Sequence, residues 1–279
     1  MLHIDKNILR IVKIKKTREE TASVKTLIFD DHLSHNAKPG QFLMVWIPQK
    51  EEIPLSVMIS NSQGEAAITI RKKGLASTSL FNLVEGDTIG IRGPYGNSFS
   101  TDPGFKHRLL IGGGTGLVPL VRLLNHTKNS DIFSTIIVGA RSKSELFFID
   151  LISHIMQDRQ FELLIATDDG STGFKGYPTE LLNNIVEKNP KIDMVYTCGP
   201  ELMMKGVYEI ISKRTIQLEA SVERYMKCGI GICSSCSIND KLVCVDGTVF
   251  NKGQISKLSE FGRFYRNKSG ILNSYLQTL

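Results

Sequence analysis

Four of the five cysteines, Cys228, Cys233, Cys236 and Cys244, fall within seventeen residues. Clustered thiols in a reducing compartment point to bound metal rather than to disulfides. The spacing is C-x4-C-x2-C-x7-C. It places three ligands on one tight loop and brings a fourth back from a distance, the plant-type arrangement for a [2Fe–2S] cluster. A loop that turns three thiolates inward needs small residues, and Gly229, Gly231, Ser234 and Ser235 stand between the ligands. Residues 229–237 carry no charged side chain, which suits thiolates that are already anionic. A structural zinc site is the alternative for the same residues. Zinc knuckles usually come as paired C-x2-C units, and a single such unit is present.

A second chemical feature is the run Gly112-Gly113-Gly114-Thr115-Gly116, which follows an apolar stretch and opens a helical pattern. Glycines let backbone approach a diphosphate, and a helix N-terminus offers free N–H groups and a positive dipole end. The run lacks the G-x-G-x-x-G spacing with a later acidic residue, so a plain tight connection stays open. Two further segments sit at comparable places. Arg141 follows the next strand pattern, where an adenosine ribose could lie. Cys198-Gly199-Pro200 ends a later one. Cys198 is either an ordinary buried cysteine or a small polarizable group beside a nicotinamide.

These features need a scaffold. The first hundred residues read as short β segments at 8–14, 23–29, 41–47, 55–59, 67–71 and 88–92, separated by turn residues, a pattern that predicts a closed six-stranded antiparallel barrel. A short helix is expected at 77–83. Beyond a linker at 101–106 the period changes. Strands at 108–111, 135–139, 161–167 and 194–198 alternate with helices ending near 128, 157, 188 and 213, and a last strand is expected at 217–221. Such alternation implies a parallel α/β sheet covered on both faces. The expected domains are 1–104, 105–220 and 221–279. The tail after residue 250 is polar and basic with scattered aromatics, either a docking segment or a loose end.

Composition narrows the partners. The net charge of +6 is spread along the chain, with small clusters at Lys13–Lys16 and Arg71–Lys73. There is no basic stripe interleaved with aromatics of the kind that grips nucleic acid. No run approaches the ~20 apolar residues of a membrane span, and the first residues lack a signal-peptide core. A cytoplasmic protein that binds neither nucleic acid nor membrane is expected.

The order of barrel, Gly-Gly-Gly-Thr-Gly and Cys198-Gly199-Pro200 resembles the ferredoxin–NAD(P) reductase superfamily. Three further stretches are similar to the electron transfer subunits of dihydroorotate dehydrogenase. They are Ser221 to Cys233, Leu242 to Phe250, and the segment from Thr167-Asp168-Asp169-Gly170 to Gly176. The resemblance covers about residues 8–250. It implies FAD on the barrel, held by Pro54, Leu55 and Ser56, with Ser56 near the flavin N5 region. Arg71, Lys73, Gly74, Ala76 and Ser77 match its diphosphate-binding turn. Nicotinamide binding is implied for Gly112 to Gly116, Arg141, Asp168, Cys198 and Gly199. Two departures stand out. Ile53 replaces the family's arginine, and the gap before Cys244 is short.

A nicotinamide carries electrons in pairs and an iron–sulfur cluster carries them singly, so a flavin is needed between them. The resemblance implies that electrons from dihydroorotate, oxidised on an FMN-containing catalytic subunit, pass through the cluster and FAD to NAD+ in pyrimidine biosynthesis. It also implies a heterotetramer. No side chain is assigned as general acid or base. Arg141 and Lys143 could meet a 2′-phosphate, so NADP stays open beside NAD. The alternatives are an NAD(P)H:ferredoxin or hydrogenase diaphorase subunit, and a non-redox assembly subunit with zinc in the cysteine site.

Overall fold

The computed structural model describes residues 4–60, 62–189 and 191–275. After a short helix α1 (Ile4–Asn7), strands β1 (Arg10–Thr21), β2 (Val24–Asp30), β3 (Phe42–Trp46), β4 (Glu52–Met58), β5 (Glu65–Arg71) and β6 (Thr88–Tyr95) close into a barrel in the order β1-β2-β5-β4-β3-β6. All its pairings are antiparallel, as the sequence predicts. Inward residues such as Leu27, Leu43, Ile68 and Ile89 are fully buried. Closure leaves no open sheet edge. Helix α2 (His32–His35) is capped by the Asp31 carboxylate, which accepts from the Ser34 N–H and also pairs with Arg10. Helix α3 (Leu75–Phe81) begins slightly earlier than expected, because the Ser77 hydroxyl oxygen accepts from the Lys73 and Gly74 N–H groups and starts the first turn.

The second layer contains β7 (His107–Gly113), α4 (Leu117–His126), β8 (Phe133–Ala140), α5 (Ile149–Met156), β9 (Phe161–Thr167), β10 (Phe174–Lys175), α6 (Pro178–Lys188), β11 (Met194–Cys198), α7 (Glu201–Ser212) and β12 (Gln217–Ser221). The five pairings among its strands are parallel. Helix α5 starts at Ile149, five residues later than residue 144, where it was expected. A 3-10 turn at Lys143–Glu145 and a left-handed Phe148 (φ +66°) occupy the start of that segment instead.

The cysteine segment adds a hairpin, β13 (Ser237–Ile238) with β14 (Lys241–Leu242), then α8 (Val243–Asp246) and β15 (Val249–Asn251). Strand β15 pairs antiparallel with β12 and becomes the seventh strand of the sheet. Helix α9 (Lys252–Ile255) and a hairpin of β16 (Phe264–Arg266) with β17 (Leu272–Ser274) follow. Through residue 275 the tail is packed on the chain itself, with Leu258 and Phe261 in the core; residues 276–279, also expected in the tail, lie outside the described residues. One core cluster joins Phe42, Met44 and Tyr95 of the barrel to Leu109 and Val207 of the sheet layer and to Cys236, Cys244 and Phe261. Across the other face, the buried Arg122 of α4 donates to the carbonyls of Ala37 (2.8 Å), His35 (2.7 Å) and Met58 (3.1 Å). That side chain ties the helix behind the glycine loop to the barrel.

Candidate functional site

A cleft of about 660 Å³ runs between barrel and sheet. Its barrel wall is Phe42, Pro54, Leu55, Ser56 and Thr69 to Arg71, with Lys73 and Ser77 beyond. Its sheet wall is Gly113, Gly114, Thr115, Gly116, Arg141 and Gly199. These residues come together because β7, β8 and β11 all end at one carboxyl edge, the usual ligand edge of an open α/β sheet. Gly116 is required by packing. A Cβ there would lie 2.4 Å from the backbone of Cys198 and Gly199. Gly199, at φ +142°, likewise lies against the Gly113 backbone.

Five of the sequence candidates stand off the cleft wall. Gly74 is the exposed N-cap of α3, and Ala76 packs into the barrel core. A Cβ on Gly112 would meet Leu117 and Leu120, so that position serves the seating of α4 on β7. Asp168 is exposed in the turn after β9, bonded through its N–H to the Ala140 carbonyl. Cys198 is buried beneath the loop, and burial pushes its thiol well up.

The third wall was not anticipated. Ser221 to Arg224, Met226, Glu201, Thr248 and Tyr275 face the same cleft. Arg224 and Glu201 form a buried bidentate pair, and Glu201 also accepts from the Tyr275 hydroxyl and the Gly262 N–H. Glu223 is exposed along the open cleft, and partial desolvation by the surrounding walls raises its carboxyl above the ordinary range. A hint lay in the sequence: Glu223 and Arg224 sit five and four residues before Cys228, the first cysteine of the cluster segment. Glu201 and Tyr275 gave no local signal.

The cysteine loop rests on the barrel beside this wall. A Cβ on Gly229 would lie 2.7 Å from the Met44 side chain, and the Cys228 carbonyl accepts from Arg92 at 3.2 Å. Gly229, Gly231 and Ser234 have positive φ, the turns that bring the ligands round. The short gap before Cys244 is spanned by the β13–β14 hairpin, with Asn239 left-handed in its two-residue turn. Among the described residues no three metal-binding side chains converge on a single point. Cys228 lies close enough to Cys233, and Cys244 to Cys236, for each to act on its neighbour's acidity. The pairs are near enough for Cys244 to sense Cys228. For Cys233, burial acts upward, but hydrogen bonds from Ser235 and Cys228 bring it down to about 7. The hydrogen bond from Cys244 brings Cys236 to about 6.

An oxidoreductase NAD-binding domain model matches residues 110–209. The chain superimposes on a structure of an NADH-dependent reduced ferredoxin-NADP oxidoreductase with TM-score 0.78 and 27% identity, covering 90% of this chain and 92% of that one. A ferredoxin NADP+ reductase from Neisseria gonorrhoeae shares the fold at TM-score 0.63 and 20% identity, over 74% of this chain and 92% of that one. Barrel, glycine loop and cysteine loop together define a ferredoxin reductase-like oxidoreductase with an iron–sulfur module. A model of the iron–sulfur cluster binding domain of dihydroorotate dehydrogenase B matches residues 223–256. Two proteins named probable dihydroorotate dehydrogenase B (NAD(+)), electron transfer subunit, share 40% and 41% identity with the chain. The one from Methanocaldococcus jannaschii is aligned over 93% of this chain and 96% of its own length, that from Pyrococcus horikoshii over 94% and 97%. The chain belongs to the family of dihydroorotate dehydrogenase B electron transfer subunits.

Proposed function

We propose that the protein carries electrons between a dihydroorotate-oxidising, FMN-containing catalytic subunit and NAD+, using its own [2Fe–2S] cluster and FAD. The observation that carries this reading is one continuous cleft walled by the barrel strand β4, the glycine loop and the segment leading into Cys228. FAD, when bound, supplies the conversion between single electrons and hydride. The buried Nε of Arg71, which has no hydrogen-bond partner among the described residues, is the kind of orphaned donor an anionic dinucleotide would satisfy.

In this reading each wall has a task. Pro54, Leu55 and Ser56 hold the flavin ring, and Lys73 and Ser77 flank its diphosphate. Gly113 to Gly116 offer backbone N–H groups to the nicotinamide dinucleotide, with Arg141 toward its ribose. Cys228, Cys233, Cys236 and Cys244 ligate the cluster. The residue assignments and the domain limits 1–104, 105–220 and 221–279 are part of this proposal, as are the heterotetramer and the cytoplasmic location. Among the described residues no helix is long and apolar enough to cross a membrane.

The likeness to the NADH-dependent reduced ferredoxin-NADP oxidoreductase favours a second reading, in which a ferredoxin replaces the pyrimidine enzyme. Purification with the FMN subunit separates the two. The first reading requires flavin bands plus a cluster shoulder bleached by dithionite, and dihydroorotate-driven NAD+ reduction that depends on the added subunit. Cys244→Ser should lose iron and the shoulder while keeping the flavin bands. A colourless protein with stoichiometric zinc would overturn both redox readings.

A further inference from the structure

The Arg71 guanidinium stands between the two sides of the cleft. It leaves the end of β5 on the barrel, and its Nη1 donates to Glu145 Oε2 at 2.9 Å. Its Nη2 lies 3.7 Å from where a Cβ on Gly114 would stand, against the glycine loop. Glu145 closes the 3-10 turn that follows Arg141, so the pair bridges barrel and sheet across the cleft.

This pair is built to open. Its side chains are 30% and 29% exposed, and ion pairs that wet contribute little to stability. The guanidinium has five donors in a rigid fork that matches phosphate oxygens. One of them is engaged by Glu145. Another, Nε, is buried with no partner among the described residues, and a dry donor without an acceptor is costly until one arrives. The other cations on the cleft wall are Lys73, Arg141 and Arg224, and Arg224 is already committed to Glu201.

We propose that Glu145 is a stand-in for the diphosphate of a bound dinucleotide. Without ligand it holds Arg71 across the cleft. An arriving diphosphate takes the guanidinium over, satisfies Nε and releases Glu145. Glu145 is thus a positioning residue that sets dinucleotide affinity by competing for Arg71. The inference rests on the reading that the cleft takes dinucleotides. Both FAD and NAD+ carry a diphosphate, and the test tells them apart.

Apoprotein is titrated with FAD by flavin fluorescence quenching, and FAD-loaded protein with NAD+ by calorimetry. Arg71→Gln should weaken one of the two dinucleotides by roughly tenfold or more, the worth of a charge-assisted hydrogen bond. Glu145→Gln should tighten that same dinucleotide several-fold, and the gain should vanish in the double variant. Riboflavin, which lacks the diphosphate, should bind all variants alike. The dinucleotide that responds is the one Arg71 serves. Unchanged or weakened binding in Glu145→Gln, or a gain that survives Arg71→Gln, overturns the proposal while leaving the cleft assignment intact. Failure of the unaltered protein to bind either dinucleotide overturns the cleft assignment and the proposal with it.

Discussion

At the scale of single residues the site depends on what is missing from side chains as much as on what they carry. Gly116→Ala would drive a methyl group into the Cys198–Gly199 backbone, which cannot rotate aside. Overpacking of this kind costs about 1–3 kcal/mol, and the shift would spoil the loop. Gly74 has open space around its Cβ position and an extended φ. Urea unfolding of the apoprotein should therefore show a clear loss for Gly116→Ala and a change below ~0.5 kcal/mol for Gly74→Ala. An equal loss in both would show that the contact does not set the requirement. The iron–sulfur segment was legible in the sequence because the spacing of its four cysteines is local and chemically restricted. Glu201 and Tyr275 were not, since their meeting with Arg224 joins residues separated by 23 and 51 positions.

At the scale of elements, turn chemistry was the most readable signal. Glycines and prolines bound most of the later barrel strands, as at Pro39-Gly40, Gly64, Gly86 and Gly96, and the expected strands fall inside or close to the observed ones. The misses have local causes. Helix α5 is delayed by Phe148 in a left-handed conformation, which a bulky residue adopts only under tertiary constraint. Strand β15 is three residues long, too short for periodicity to register. Caps make a prediction possible here. Burial pushes the Asp31 carboxyl up, but hydrogen bonds from Arg10 and Ser34 outweigh it and hold the group below its ordinary value. A carboxylate lowered in the folded state stabilises above the unfolded value of ~3.9, and that stability is lost as pH falls through the folded one. Asp31→Ala should cost about 1–2 kcal/mol at pH 7. The difference between the two proteins should shrink below about pH 4, as read from urea midpoints across pH. A difference that is constant down to pH 3 would count against the charge.

At the scale of the whole molecule the placement of barrel on sheet was hardest to foresee. Arg122 makes that joint through backbone carbonyls, which every residue offers and which leave no trace in residue identity. Burial lowers its pKa to about 10, so it stays charged at neutral pH. Arg122→Met keeps much of the volume but strands buried acceptors. The expected loss is roughly 2–4 kcal/mol in chemical denaturation, with partial recovery in Arg122→Lys. A silent Arg122→Met would mean that the shared core alone fixes the joint. The seventh strand of the sheet has a further consequence. A row of unpaired N–H and C=O groups on β12 would be a template for another chain. Strand β15 covers it from within, so the iron–sulfur binding segment also guards the sheet against sticking to its own kind. A chain released without that segment would be prone to self-association as well as unable to ligate iron.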